Sequence, residues 1–285
     1  MAELNHKEAS FDGAGGVRIF YQRWIPEACD RVMVIAHGLG EHSGRYGNVV
    51  EYFTPRGFAV YALDHRGHGR SGGKKGHIGS FDEYLDDLDR LVRIAASDEE
   101  GKPLFLVGHS LGGLIALSYA LTRPERLDGL IVSSSALKLA VDVPAWKAVL
   151  GKFFSRFIPT FTMGNELNPD DVSRDAAVVA AYKADPLVHD RVSARFFQEF
   201  VGAMERAHRD AHKLALPSLV LQAGADRLVD PDGSRAFYAK ITHKDKALKV
   251  YEGLYHEIYN EAERGEVFAD MEQWLEGRGR KEIGV

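Results

Sequence analysis

The sequence predicts an α/β fold: a mostly parallel central sheet flanked by helices, with an inserted helical cap. Three observations carry that expectation. Short β-rich runs alternate with helical segments along most of the chain. Several of those runs are apolar at every position, as strands covered on both faces are. One long interval past the middle of the chain keeps helical periodicity and offers no good strand. The 285 residues exceed the usual domain of about 100 to 200, and 45% of them are hydrophobic and 27% charged. That is enough apolar material for one large domain with an insert, and it excludes wholesale disorder.

Taken in order, Gly13 to Gly16 supply turn chemistry for an antiparallel hairpin at the sheet's edge. The strand-like runs are VRIFYQRW at 17–24, RVMVIAH at 31–37, FAVYALD at 58–64, PLFLVG at 103–108, LDGLIVSS at 127–134, PSLVLQAG at 217–224 and ALKVYEG at 247–253. Between them 45–56, 81–97, 111–122, 233–240 and 261–277 read as helices, the second opening on the acidic Asp82 and Glu83. The interval from Ser135 to Leu216 shows helical periodicity at 145–158, 173–184 and 191–211. The chain therefore divides into an α/β core, 1–134 and 217–285, and a cap, 135–216. Such a cap would cover the carboxyl ends of the strands, where open α/β sheets place their ligands. Its segment 145–161 carries an apolar stripe including Trp146, Phe153, Phe157 and Phe161. That stripe reads either as a helix packed on the core or as a greasy lid that touches lipid or lines an acyl channel.

Composition excludes several function classes. Lys and Arg number 36 against 41 Asp and Glu, a net charge of -5 without a basic run, so no nucleic-acid partner is expected. No stretch approaches the roughly 18 to 20 apolar residues of a membrane span. The opening MAELNHKEAS lacks a signal peptide's apolar core, so the expectation is a cytoplasmic protein, at most peripheral at membranes. The single cysteine, Cys29, forbids an internal disulfide or a multi-cysteine metal site and reads as inert. Gly67-His68-Gly69-Arg70-Ser71-Gly72 matches a dinucleotide fingerprint, but the loop runs on to about Phe81 instead of opening a helix. His65 with His68, and His208 with His212, lack a third ligand. No metal and no cofactor is expected. His189, His208, His212 and His243 read as solvated surface residues.

Chemistry enters at Gly108-His109-Ser110-Leu111-Gly112, a G-x-S-x-G elbow that projects a serine from a strand end. The pattern alone is weak, since this composition yields about 0.15 matches by chance. Its context is not weak: an apolar strand precedes it and a helix-like run follows. Ser110 has to take strained backbone angles, and glycines two positions either side let strand and helix approach. A serine hydroxyl needs a base held by a carboxylate, and after such an elbow the acid and then the histidine follow in chain order. Asp226 lies just past one late strand and His256 just past the next; Asp230 and Asp232 are rivals for the acid. An oxyanion needs two backbone N–H donors, which Leu111 and, in His37-Gly38-Leu39-Gly40, Leu39 are placed to offer.

The string His37-Gly38-Leu39-Gly40-Glu41-His42-Ser43-Gly44-Arg45-Tyr46 is far more specific. With Asp64-His65-Arg66-Gly67-His68-Gly69-Arg70-Ser71, the elbow, Ala181 to Leu187, Ala225-Asp226-Arg227-Leu228 and Tyr255-His256-Glu257, it resembles the monoacylglycerol lipases of the α/β-hydrolase fold over roughly residues 15–277. The resemblance implies a catalytic Ser110, Asp226 and His256, oxyanion donors at Leu39 and Leu111, and Glu41, Arg45, His109 and Tyr182 around the glycerol end of a monoacylglycerol. The greasy-lid reading of 145–161 would allow transient contact with a membrane surface through the cap. Glu41 and Arg45 read equally as an ion pair stiffening their loop. The active-site thiols of some animal members have no counterpart here. The expected function is hydrolysis of monoacylglycerols to fatty acid and glycerol through a Ser110 acyl-enzyme; two readings compete with it, a broad carboxylesterase or lysophospholipase, and a silent scaffold of the same fold that binds a lipid or a partner.

Overall fold

A computed structural model describes residues 4–140 and 154–278. Eight strands form one sheet in the order β1-β2-β4-β3-β5-β6-β9-β10. They are β1 (Asn5–Asp12), β2 (Arg18–Ile25), β3 (Arg31–Ala36), β4 (Phe58–Leu63), β5 (Leu104–His109), β6 (Gly129–Ser133), β9 (Ser218–Ala223) and β10 (Lys246–Tyr251). β1 and β2 form the antiparallel hairpin at one edge, and β2 runs antiparallel to β4. From β4 to β10 every pairing is parallel, with Val34 opposite Tyr61 on one side and Leu106 on the other.

The sheet is covered on both faces, which is why its central strands are apolar without alternation. Val32 and Val34 of β3 face a core built with α2 (Asp82–Asp98) and α3 (Leu111–Thr122). Met33 and Ile35 face the other core, built with α1 (Gly47–Phe53) and the last helix, Arg264–Leu275. Helix α2 buries Leu85, Leu88, Val92 and Ala95 at three- and four-residue spacing and starts on Asp82 and Glu83, whose charges suit the N-terminal end of the helix dipole. In α3 nine of twelve residues are buried, so that helix is sandwiched rather than amphipathic.

Between β6 and β9 the described residues give α4 (Ala176–Ala184) and α5 (Ala194–Asp210). Asp175 caps the first by accepting from Ala177 N, and Ser193 caps the second by accepting from Phe196 N. Phe196, Phe200 and Ala203 of α5 enter the same core as α3, so this segment folds with the sheet and not apart from it. The sequence offers no strand here, yet β7 (Thr162–Gly164) pairs antiparallel with β8 (Arg191–Ser193). Three-residue ladders are too short to leave a period-two signature. The expected helix at 145–158 lies mostly outside the described residues. After it come α6 (Pro231–Lys240) and α7 (Arg264–Leu275). Among the described residues no helix is long and apolar enough to cross a membrane.

The loop after β4 is pinned by a buried fork. Arg66 donates from Nε and NH2 to the two oxygens of Asp87 at 2.7 and 2.9 Å, and Asp87 also accepts from Ala14 N. Removing one member of a buried pair leaves its partner uncompensated. Asp87→Ala is expected to destabilise the fold by about 3 kcal/mol, measured as a drop in urea-unfolding free energy; a change within experimental error would show that Glu83, 3.0 Å from Arg66 NH1, suffices alone.

Candidate active site

Four strand ends converge at the carboxyl edge of the sheet. The loop after β3 carries Gly38 to Arg45, β5 ends at Ser110, β9 leads to Asp226 and β10 to His256. Ser110 holds φ 53° and ψ −118°, a strained conformation outside helix and strand. Its neighbours leave no room for side chains: a Cβ on Gly108 would lie 2.4 Å from Gly112 O, and one on Gly112 would lie 2.0 Å from Ala36 O. A Cβ on Gly38 would sit 3.2 Å from the Ser110 Cβ, so the β3 loop packs directly on the serine.

Asp226 Oδ2 accepts from His256 Nδ1 at 2.8 Å, and Asp226 Oδ1 accepts from the amides of Leu228 and Val229. A carboxylate only accepts, so the His256 proton sits on Nδ1 and the Nε2 lone pair is left open. Asp230, a rival for the acid, instead accepts from Asp232 N to cap α6 and pairs with Lys138. The His256 ring lies 4.8 Å from that of His109, the residue before the serine. The Ser110 hydroxyl makes no hydrogen bond among the described residues, a common state before substrate closes such a site.

Burial works against a charge on His256, but Asp226, Glu257 and Glu41 outweigh it and hold its pKa above the usual imidazole value. Burial also works against a charge on Asp226, and there His256 and the two amides prevail, keeping the carboxyl below its usual range. His109 goes the other way: burial and the neighbouring His256 push it down to about 3. Of two touching imidazoles, only His256 readily holds a proton.

The β3 loop is set by polar contacts. His37 Nε2 accepts from His65 N at 2.8 Å, so the ring proton is on Nδ1 and is donated to Gly38 O at 2.7 Å. Fixing the Gly38 carbonyl fixes the Leu39 N–H on the opposite side of the same planar peptide. Glu41 Oε1 accepts from Gly38 N at 2.6 Å and from the Tyr46 hydroxyl at 2.9 Å. Neither the Leu39 nor the Leu111 amide donates to another group among the described residues.

Arg45 bonds Glu41 at 2.8 Å, the ion pair foreseen in the sequence, and also forks onto Glu257 at 2.6 and 2.7 Å. The Tyr182 ring lies 4.7 Å from the Arg45 guanidinium. The structure thus brings the loop of Glu41 and Arg45, Tyr182, the His109–Ser110 elbow, Asp226 and His256 into one region. It adds His37 and Glu257, which sequence reasoning left without a role. Adjacency to His256 and to the Gly38 turn was the available signal.

His189 is corrected. It is buried, with Nε2 donating to Gly67 O and its own N–H donating to Gly40 O at 2.9 Å each. Helical periodicity could not show that the cap's return segment is pressed against these loops. Of the others, His212 is exposed, while His208 and His243 are half-buried. Among the described residues no cluster of His, Cys, Asp and Glu is arranged to hold a metal.

Comparisons with known proteins place these features in context. A family profile described as "Serine aminopeptidase, S33" matches residues 27–263. The monoacylglycerol lipase of Mycolicibacterium smegmatis is 40% identical over 96% of this chain and 99% of its own length. Phospholipase YtpA of Bacillus subtilis is 35% identical over 86% and 95%. The crystal structure of Paleococcus ferrophilus monoacylglycerol lipase superposes with a TM-score of 0.80 at 38% identity, covering 96% of this chain and 98% of that one.

Behind the β3 loop, His37, His65 and His68 cluster with tilted and edge-on rings, the centroids of the latter two 4.3 and 5.4 Å from that of His37, all buried. Burial lowers the pKa of each, for His65 and His68 well below the usual value. The folded state keeps them neutral while the unfolded chain protonates near pH 6.5, so stability is full above that pH and falls as pH drops below it. Urea titrations from pH 7.5 to 5 should show unfolding coupled to net proton uptake, from this cluster and from His77, His109, His189 and His208, which burial also holds down; a pH-independent midpoint would contradict the neutral assignment.

Proposed function

The chain belongs to the serine aminopeptidase (S33) family of α/β-hydrolases, among the monoacylglycerol lipases, and on that premise we propose that it hydrolyses monoacylglycerols to fatty acid and glycerol through an acyl-enzyme on Ser110. The observation that carries this reading is the Asp226–His256 contact, which leaves the Nε2 lone pair open on a ring packed against His109, the residue before the strained serine. His256 takes the Ser110 proton as Oγ attacks the ester carbonyl, and Asp226 holds the ring and stabilises the imidazolium. The tetrahedral oxyanion takes hydrogen bonds from the uncommitted amides of Leu39 and Leu111. His256 then protonates the departing glycerol oxygen, the acyl–Ser110 ester remains, and the same histidine activates water to release the acid.

Polar groups at the glycerol end divide into two kinds. Glu41 is committed to Arg45 and the Gly38 amide, and Arg45 to Glu41 and Glu257, so they shape the pocket. His109 and Tyr182 remain as hydrogen-bonding tips, and Tyr182, with burial and the nearby carboxylates pushing its phenol up to about 12, stays a neutral donor. Residues 135–216 act as the cap. Its Ile158, Phe161 and Met163 are 43 to 50% exposed, while the nearby Lys74 and Arg195 donate to the carbonyls of Thr160 and Ser155. An apolar rim with basic neighbours suits brief contact with a lipid surface.

Ser110→Ala should lower turnover by about 10^5-fold or more and Asp226→Asn by about 10^4-fold. A fluorophosphonate should label Ser110 in the folded protein; an unlabelled serine with retained lipid binding would favour a silent binder. On a panel of monoacylglycerol, diacylglycerol, lysophospholipid and short p-nitrophenyl esters, the monoacylglycerol should give the highest kcat/KM. The similarity to a phospholipase makes a lysophospholipid preference the outcome that would overturn the substrate assignment. Replacing Ile158, Phe161 and Met163 together with Ser should weaken sedimentation with anionic vesicles and leave hydrolysis of a soluble ester intact; unchanged sedimentation would reject the cap contact.

A further inference from the structure

We propose that Glu257 is a positioning residue of this esterase: through Arg45 it ties the histidine loop to the oxyanion loop, and its charge favours the His256 imidazolium formed as Ser110 attacks. The proposal rests on the reading of Ser110, Asp226 and His256 given above. Glu257 follows His256 directly and its side chain is only 6% exposed. Oε1 accepts from Arg45 NH1, and Oε2 accepts from Arg45 NH2 and from Asn260 Nδ2 at 2.9 Å. With both oxygens occupied and buried, the carboxylate is not available to a substrate. Arg45 reaches Glu41, and Glu41 holds the Gly38 amide. One chain of charged hydrogen bonds therefore runs from the residue after the base to the Gly38 amide, one peptide before the Leu39 N–H. In the other direction the Glu257 amide donates to Val172 O of the cap at 2.8 Å.

The surrounding charges are unequal. The touching rings of His256 and His109 face Asp226 from the turn after β9, Glu41 and Arg45 from the loop after β3 and Glu257 on the histidine's own loop; Tyr182 of α4 covers Arg45. Three carboxylates meet one guanidinium, and His109 stays neutral. The remaining compensating charge is a proton on His256, the form the reaction creates. Without Glu257, Arg45 and Glu41 would cancel, and Asp226 alone would favour that proton.

The test compares wild type, Glu257→Gln and Glu257→Asp on a monoacylglycerol, with kcat and KM measured across pH. E257Q should lower kcat about tenfold or more with KM nearly unchanged. Its acid limb should move to lower pH, because losing a nearby negative charge lets the imidazolium deprotonate more easily. E257D keeps the charge but breaks the fork, so kcat should fall while the acid limb stays where wild type has it. An unmoved limb in E257Q, a wild-type kcat, or a rise confined to KM would each overturn the proposal. Should E257Q fail to fold, E257D decides: a lowered kcat at constant KM supports the proposal, and a wild-type kcat rejects it. A wild-type protein silent toward every acyl ester would instead defeat the reading of the triad, not this one.

Discussion

Crowding where β3, β5 and the start of α3 meet governs the placement of the reacting groups. Gly108 and Gly112 allow the helix to lie against both strands, and Gly38 lets the β3 loop lie against Ser110. In that space the chain can turn from strand to helix only through the strained angles at Ser110. The same turn leaves the first amide of α3 without a helical acceptor. Because β5 lies between β3 and β6 and close to β9, the ends carrying Gly38, Ser110 and Asp226 are near neighbours. Parallel order thus supplies proximity before any side chain contributes.

Electrostatics then assigns roles to side chains that crowding only gathers. Two imidazoles touch, and burial alone would keep both neutral. Asp226 and the carboxylates beyond it lift His256, and that protonated neighbour helps depress His109. The buried cations and anions are linked as a network rather than as isolated pairs, Arg45 joining two carboxylates that belong to different loops. Its value lies in fixing geometry and bias at one imidazole more than in stability, since buried ion pairs recover little beyond their desolvation cost.

The described part of the cap is bonded to the loops that carry the site. His42 Nε2 meets Asp185 at 2.9 Å, His189 N donates to Gly40 O, and Ser193 N donates to Gly76 O at 2.8 Å. Close approach is what Gly40 and Gly76 permit, since a Cβ on either would strike a carbonyl of the cap. The base of the cap is therefore part of the wall that orients the oxyanion loop, while its apolar rim faces outward.

Strand and helix order, the elbow and the acid-then-histidine spacing were legible in the sequence because each is a local pattern: apolar runs, small residues two positions from a serine, and polar residues just past a strand end. The linear order of the chain also marked 135–216 as an interval of different character. What local pattern could not reveal was which buried groups share partners. The second carboxylate on Arg45, the neutral cluster of His37, His65 and His68, the burial of His189 and the three-residue strands of the cap all depend on contacts between segments far apart in the chain. A residue's own neighbours in sequence set its backbone preference and its burial pattern, whereas its protonation and hydrogen-bond partners are set by whatever the fold brings within a few ångströms; tertiary structure decided those.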